Sequence, residues 1–413
     1  MKKIWVISEV YYPDEVGTAY YMTRLSEHFA KFYEVGVLCG RPKYNARGVP
    51  VPRREFLNGV WIERCIDSTL DKNIFVFRLF NVFVSSLSIF LKALVRINRG
   101  DLVFVVTSPP LLPFVTTVAC KVRGAKLLLR IDDVYPEVFV ATGILKKGSF
   151  LELFLIYLNK LLYRAVDRIF VLGRDMARLA GNKAGRCSDR IRIIPNWADA
   201  DIVFPMPKLK NPLLKELGIS DKFVVQCAGN MGRAQAIETL FAAAEKLLDN
   251  KDITFLFIGS GQKVNWMKKK IREKSLKNII FLGQRPRYDQ NNFLNACDVS
   301  LVTLLPGMTG AGVPSRMYNV MAASKPIISV ASEESELSLV TKEEDIGWVT
   351  SPANPDDLVK TILEARSDLG RLEEMGRRAR LLAETKYSIK SIIAKYERAI
   401  EEIILEENHL KNI

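Results

Sequence analysis

Residues 312–326, GVPSRMYNVMAASKP, set a cation where a helix does not need one. Gly312 and Pro314 break the chain, Ser315 stands where it can cap a helix, and Arg316 falls in the first turn. The N–H groups of a helix start are already positive, so an arginine among them calls for an anion that both can hold. The alternative is a surface arginine that the dipole slightly disfavours. Two more loops carry similar chemistry. PDEVGTAYYMTRL (13–25) follows the first apolar run and puts Gly17 at a helix start. CAGNMGRAQAIETL (227–240) leads Gly229, Asn230, Gly232 and Arg233 into another helix. A glycine loop after a strand is more often a turn than a site, but three in one chain favour a phosphorylated ligand. GxxxxGK[ST] is absent, and no GxGxxG follows the first apolar run, which excludes a P-loop NTPase and argues against a dinucleotide dehydrogenase.

RIDDVYPE (130–137) adds acid groups at a strand end. Asp133 and Glu137 can take or orient a proton if partly desolvated. The structural alternative is that Asp133 caps the next turn, with Pro136 shaping it. The two histidines, His28 on an early helical stretch and His409 near the end, cannot supply a histidine base or a histidine-rich metal site. No metal site and no cofactor is expected.

The elements that must position these residues are legible as a pattern. KKIWVISEV, YEVGVLC, DLVFVVTS, AKLLLRID and DRIFVLG read as buried parallel strands in the first half. KFVVQCAGN, ITFLFIGSG, NIIFLGQ, DVSLVTLL and KPIISV repeat the theme in the second. Amphipathic stretches such as IETLFAAAEKLLDN separate them, so the chain is an α/β protein with two doubly wound parallel sheets, facing across a cleft. Its 413 residues suit two or three domains. A loop-like stretch at 195–212 reads as the linker, and KYSIKSIIAKYERAIEEIILEENHL as a long final helix. The six cysteines are scattered without CxxC spacing and read as buried thiols of a reducing compartment. MKKIWVISEVYYP resembles a first strand more than a signal peptide.

Charge is distributed unevenly. Residues 1–200 hold 30 Lys and Arg against 18 Asp and Glu, a net of +12; residues 201–413 hold 30 against 28, a net of +2. A basic half suggests an extended acidic partner. LFNVFVSSLSIFL (79–91), edged by Arg78, Lys92, Arg96 and Arg99, and FLELFLIYLNKLLYRAVDR (150–168), after Lys146 and Lys147, are the apolar stretches of that half. Thirteen helical residues span about 20 Å, short of the roughly 30 Å hydrocarbon core. They suit core helices or helices lying on an anionic membrane surface. Basic residues beside aliphatic ones do not suit nucleic acid, which is not expected as a partner.

Five stretches together resemble the retaining GT-B glycosyltransferases of family 4, in the subgroup that builds O-antigen, capsule and exopolysaccharide in bacteria: YYPDEVGTAYYMTRLSEHF, DDVYPE, IPNWAD, AGNMGRAQAIETL and VPSRMYNVMAASKP. The resemblance implies a metal-independent hexosyl- or N-acetylhexosaminyl-transferase. It would use a nucleotide-sugar donor, uridine-linked by expectation, and a polyprenyl-diphosphate-linked saccharide acceptor. It implies an acceptor-binding, membrane-facing domain at 1–200, a donor-binding domain at 201–385, and a helix from 386 to 413 crossing back to the first. The chain would work in the cytoplasm, peripherally on the inner face of the membrane. Arg316 and Asp133 would be catalytic. Gly17, Asn230, Gly232, Arg233, Arg285, Ser315, Met317 and Asn319 would bind donor, and Asp133 and Glu137 acceptor. Where many members carry two glutamates, this chain has Ala311 and Asn319, and Asn230 and Gln235 replace the usual arginine and lysine. Asn319 can still bond a ribose, while the sugar would rest on the backbone of 307–312. A nucleotide-sugar 2-epimerase and a non-catalytic nucleotide-sugar-binding homologue are the competing readings.

Overall fold

The structure is a computed structural model and describes residues 3–68, 70 and 75–411. The side chains of Arg78, Leu79 and His409 lie outside the described residues. Two compact units emerge: one holds the chain up to Pro136, Lys147–Ile194 and the residues from Tyr396, the other Glu137–Lys146 and Pro195–Lys395.

The first unit is built on an eight-stranded sheet in the order β3-β4-β2-β1-β5-β6-β7-β8. Its strands are β1 (Ile4–Ser8), β2 (Val35–Cys39), β3 (Arg54–Leu57), β4 (Val60–Arg64), β5 (Leu102–Val106), β6 (Lys126–Ile131), β7 (Arg168–Val171) and β8 (Ile191–Ile193). Every pairing is parallel except β3 with β4. Strands β1, β2 and β5 are buried along their whole length, as parallel strands covered on both faces must be, and this is why they read as unbroken apolar runs. The helices are α1 (Gly17–Phe29), α2 (Phe75–Arg96), α3 (Leu112–Arg123), α5 (Phe150–Ala165) and α6 (Arg174–Ala184), while the short α4 (Glu137–Ala141) is counted with the second unit. The β3–β4 hairpin is absent from the strands read in the sequence. Its signal was present: Asn58 and Gly59 both take positive φ, the two-residue turn that matches strand twist.

The second unit carries a six-stranded, wholly parallel sheet in the order β11-β10-β9-β12-β13-β14. The strands are β9 (Phe223–Asn230), β10 (Ile253–Ser260), β11 (Ile279–Leu282), β12 (Val299–Thr303), β13 (Ile327–Val330) and β14 (Gly347–Thr350). Around them run α7 (Pro212–Glu216), α8 (Ile237–Lys246), α9 (Val264–Glu273), α10 (Gln290–Leu294), α11 (Arg316–Ala322), α12 (Glu336–Glu343), α13 (Pro355–Ser367), α14 (Leu369–Glu384) and α15 (Ile389–Lys411). The expected linker is not a linker at its start. Trp197 is fully buried, the Ala198 N–H bonds the Tyr387 carbonyl at 2.8 Å, and the Asp199 N–H bonds Asn319 Oδ1 at 2.9 Å. These anchors move the boundary from 200 to Ile194. The last helix starts at Ile389 rather than near Lys386, and the boundary falls inside it, after Lys395. All six cysteines are free, five of them buried; Cys187 is half-exposed, against expectation.

α15 contributes directly to the first unit's core. Tyr396 is buried against Phe104 and Phe170, with ring centroids 5.8 and 5.3 Å away. Its hydroxyl accepts a hydrogen bond from Arg130 Nη1 at 3.0 Å. Arg130 is itself buried, with Nε 2.8 Å from Asp132 Oδ1 and its guanidinium over the Tyr21 ring. Burial alone would lower its pKa, but the Asp132 charge outweighs that and holds it charged. Removing one member of such a buried pair strands the other. Asp132→Ala is expected to destabilise the first unit by about 3–5 kcal/mol, and Tyr396→Phe by about 1–2 kcal/mol, as measured by urea denaturation. Equal stability of both variants and the parent would show that α15 does not hold this unit.

Candidate functional site

In the second unit the strand order reverses between β9 and β12, and ligands of doubly wound sheets bind beyond the strand ends at that reversal. β9 pairs with β10 as far as Asn230, but with β12 only at Val225 and Gln226. Beyond Gln226 the two strands part, and Arg316, the first residue of α11, fills the gap. Its Nη2 donates to the Asn230 carbonyl at 2.9 Å and its Nη1 lies 3.7 Å from Cys227 Sγ. Gly229, at φ +124°, makes the approach possible, since a Cβ there would stand 3.3 Å from the guanidinium carbon. Burial pushes the Cys227 thiol up, against the opposite pull of Arg316, so it sits there as a neutral group. The structure thus joins two loops that the sequence offers separately, with a half-buried cation at the strand ends.

The other expected donor residues divide into two groups. Asn230 ends β9 beside Gly232, and Arg233 is exposed with no bond among the described residues. Ser315 is the residue before α11 but makes no side-chain cap, because its helical backbone angles turn the hydroxyl away from the N–H groups. Met317 is fully buried, with its N–H 3.3 Å from the Pro314 carbonyl. Asn319 is also buried. Its carboxamide is engaged by the Asp199 N–H at 2.9 Å and faces Asp199 Oδ2 at 3.5 Å, so the ribose role expected of it meets a side chain already occupied. Asp199 is also bonded by Arg287. Arg285 Nε pairs with Asp289 at 2.6 Å.

Two contributors lie outside the sequence-derived set. Asp199 lies within IPNWAD, but only the fold reveals that it anchors Asn319 and Arg287. Lys263, after β10, donates to the Gln235 carbonyl at 2.7 Å and to Glu238 at 2.6 Å. It places an ammonium beside the position where a lysine was expected. The loop SGQK between Gly259 and α9 is its only sequence signal.

In the first unit the order reverses between β1 and β5. Gly17 opens α1 and is exposed, while the Thr18 hydroxyl bonds Asp132 at 3.2 Å. Asp132 and Asp133 follow β6, and the Thr107 hydroxyl accepts from both backbone N–H groups, at 3.1 and 3.3 Å. No side chain or backbone group among the described residues bonds the Asp133 carboxylate, so it caps no turn. Burial, with the Asp132 charge adding to it, pushes its pKa up to about 7. A carboxyl poised there exchanges protons near neutral pH. Glu137 opens α4 and is counted with the second unit. His28 is 2.8 Å from Glu397 on the far part of α15, in a structural pair. Among the described residues no group of three or more His, Cys, Asp or Glu is disposed to hold a metal ion.

These features have known counterparts. The family profile described as Glycosyl transferases group 1 matches residues 210–382, which contain β9–β14 and Arg316. "Probable glycosyltransferase WbjE" of Pseudomonas aeruginosa is 36% identical over 311 residues, 75% of this chain and 77% of that protein. WcaI of Escherichia coli K12, named for glycosyl transfer in colanic acid biosynthesis, is 25% identical over 259 residues, 59% of this chain and 61% of its own length. Among solved structures, HepE of Anabaena in complex with UDP-glucose superposes with a TM-score of 0.75 at 15% identity, covering 97% of this chain and all of that one. The fold is GT-B, and the chain belongs to the group 1 glycosyl transferases.

Proposed function

We propose that the protein is a retaining, metal-independent glycosyltransferase that moves a hexosyl or N-acetylhexosaminyl group from a UDP-sugar to a polyprenyl-diphosphate-linked saccharide in surface polysaccharide synthesis. The observation that carries this reading is the Arg316 guanidinium, held over Gly229 at the end of β9. The acceptor oxygen attacks the anomeric carbon, the bond to the diphosphate breaks, and its electrons leave with the phosphate. A preorganised cation and helix N–H groups stabilise that charge without a metal. Arg233 and the backbone at Gly232 complete the diphosphate site, Lys263 supplies a third cation, and Asn319 acts through Asp199 and Arg287 to fix the loop. The UDP complex of HepE and the colanic acid role in the name of WcaI support the donor and the pathway class. Donor identity is tested by thermal stabilisation against UDP-, GDP- and dTDP-sugars. A ligand at about a hundred times its Kd stabilises by roughly 2.7 kcal/mol, and an equal response to all three overturns the uridine assignment.

In the same reading Asp133 receives or orients the acceptor hydroxyl's proton, and the first unit rests on a membrane. α2 supports the membrane part by its exposed apolar stripe: Phe80, Phe83, Leu87, Leu91 and Val95 are exposed, while Asn81, Ser85 and Ser86 are buried beside Ile89 and Ala93. Phe90 turns partly inward. α3, which packs against both α2 and α5, exposes Val118 and Val122, and α5 exposes Phe150, Phe154, Tyr157 and Leu161. Among the described residues no helix is long and apolar enough to cross a membrane, so these faces suit its surface.

Arg316→Ala should lower turnover roughly a hundred- to a thousandfold with the fold unchanged, and the parent rate should survive excess chelator. A variant as fast as the parent would displace the phosphate site.

Asp133→Asn should lose about a hundredfold or more in turnover and lose the acidic limb that the parent shows below about pH 7. The sign for stability is opposite. A raised carboxyl pKa means stability present below the unfolded value is lost as pH rises through about 7, so the neutral variant should be the more stable one at pH 8 and equal at pH 4. Parallel melting curves at both pH values would remove the desolvation argument.

The whole protein should sediment with anionic vesicles, partly stripped by high salt, since salt screens charge but not apolar insertion. Changing Phe80, Phe83, Leu87 and Leu91 to serine should make salt extraction complete. Supernatant protein at low salt would make those faces something other than a membrane surface.

A further inference from the structure

Away from the strand-end loops, the first unit carries a groove of about 920 Å³ running between β4 and the last turns of α2. Its floor is a row across three strands, because Trp5 pairs with Gly36 and Gly36 with Trp61. Glycine is required in the middle: a Cβ at Gly36 would stand 2.5 Å from the Trp5 ring. The Trp5 indole N–H donates to Asp101 at 3.2 Å, and the Lys3 ammonium lies 4.6 Å over its ring. Trp61 is half-exposed and pairs with the exposed Phe56, ring centroids 5.1 Å apart.

The groove's rim is cationic. Arg54, Lys92 and Arg96 all converge on Glu63, at 3.2, 3.0 and 2.8 Å, leaving two positive charges uncompensated. Burial pushes the Glu63 carboxyl up, but the hydrogen bonds from those three cations win and hold it at about 2. Arg99, also on the rim, is exposed and makes no bond among the described residues, its stem resting against Gly124. The other acids are already engaged, Glu34 by Lys3 and Asp101 by Trp5 and the Asn98 N–H. Val95 and Val122 line the groove and also belong to the exposed apolar stripes of α2 and α3. Charge, aromatic rings and an apolar face therefore meet in one place.

We propose that this groove holds the phosphate-bearing headgroup of an anionic membrane lipid, whose acyl chains lie along the apolar stripes of α2 and α3. Tryptophan and arginine at the edge of an apolar face are what a headgroup region favours. A free anion would use the cations and leave the valine-lined exit unexplained. The assignment rests on the peripheral-membrane reading above and adds to it a specific site.

The test uses the whole protein with phosphatidylcholine vesicles, with or without phosphatidylglycerol, at about 0.15 M salt, where charges beyond roughly 8 Å are screened. Arg54→Gln with Arg99→Gln should weaken binding to the anionic vesicles about twenty-fivefold, near fivefold per residue, and leave binding to neutral vesicles unchanged. A control removing Lys269 and Lys360 from the second unit by glutamine should change neither. Brominated phosphatidylglycerol should quench tryptophan fluorescence in the parent and less in Trp61→Phe. Equal weakening by the control pair, or quenching indifferent to Trp61, overturns the groove while the membrane reading stands. Loss of the anionic preference in about 10 mM glycerol 3-phosphate makes it a soluble-anion site. No binding to either vesicle refutes the membrane reading itself.

Discussion

A parallel strand cannot turn straight back to its neighbour; it must be followed by a crossover that returns the chain to the same starting edge. Both sheets obey this almost throughout, so nearly every strand of a unit ends on one edge. The loops rich in glycine, the helix starts and the acids at the end of β6 gather there for that reason. Where the order reverses, neighbouring crossovers leave on opposite faces and a gap opens. Between β9 and β12 the gap is visible as pairing that stops at Gln226, four residues before β9 itself ends.

In the proposed reaction Arg316 is what turns that gap into chemistry. Its guanidinium is half-buried and bonded to a carbonyl, so it is aimed before any ligand arrives. A preorganised charge costs no reorganisation when a leaving group becomes anionic. The same economy explains Asp133 in the first unit. Its neighbour Asp132 is tied to Arg130 and Thr18, whereas no group among the described residues bonds the Asp133 carboxylate, and burial together with the Asp132 charge pushes the Asp133 pKa up. One aspartate holds the structure together, and the other is the one to which the proposed reaction gives the acceptor's proton.

α2 shows the opposite use of burial. A helix serving only the core would turn Phe80, Phe83 and Leu87 inward and Ser85 outward. Here Asn81, Ser85 and Ser86 face the unit together with Ile89 and Ala93, while Phe80, Phe83, Leu87, Leu91 and Val95 face outward, on a helix whose final turns also border a cationic, tryptophan-floored groove. Single exposed apolar residues need no explanation, but stripes on three neighbouring helices do. The net charge of +12 on residues 1–200 is consistent with an acidic surface as the partner of that face.

Local sequence determined the parts whose causes are local. Continuous Val, Ile and Leu runs mark strands buried on both faces, so ten strands and the two-sheet plan are legible, and glycine before a helix marks the loops. The β3–β4 hairpin was legible too, through Asn58-Gly59, although its strands are short and half polar. Tertiary structure decided what depends on partners distant in the chain. That Arg316 meets Asn230, 86 residues away, follows from strand order, which no local pattern encodes. That Asn319 is occupied by Asp199, at a separation of 120 residues, and that Ser315 caps nothing, follow from backbone angles and packing set by the whole unit. The orientation of α2 is the clearest case. Its composition is apolar nearly all round, so periodicity alone cannot say which side meets protein; only the sheet and helices against which it packs choose the buried face.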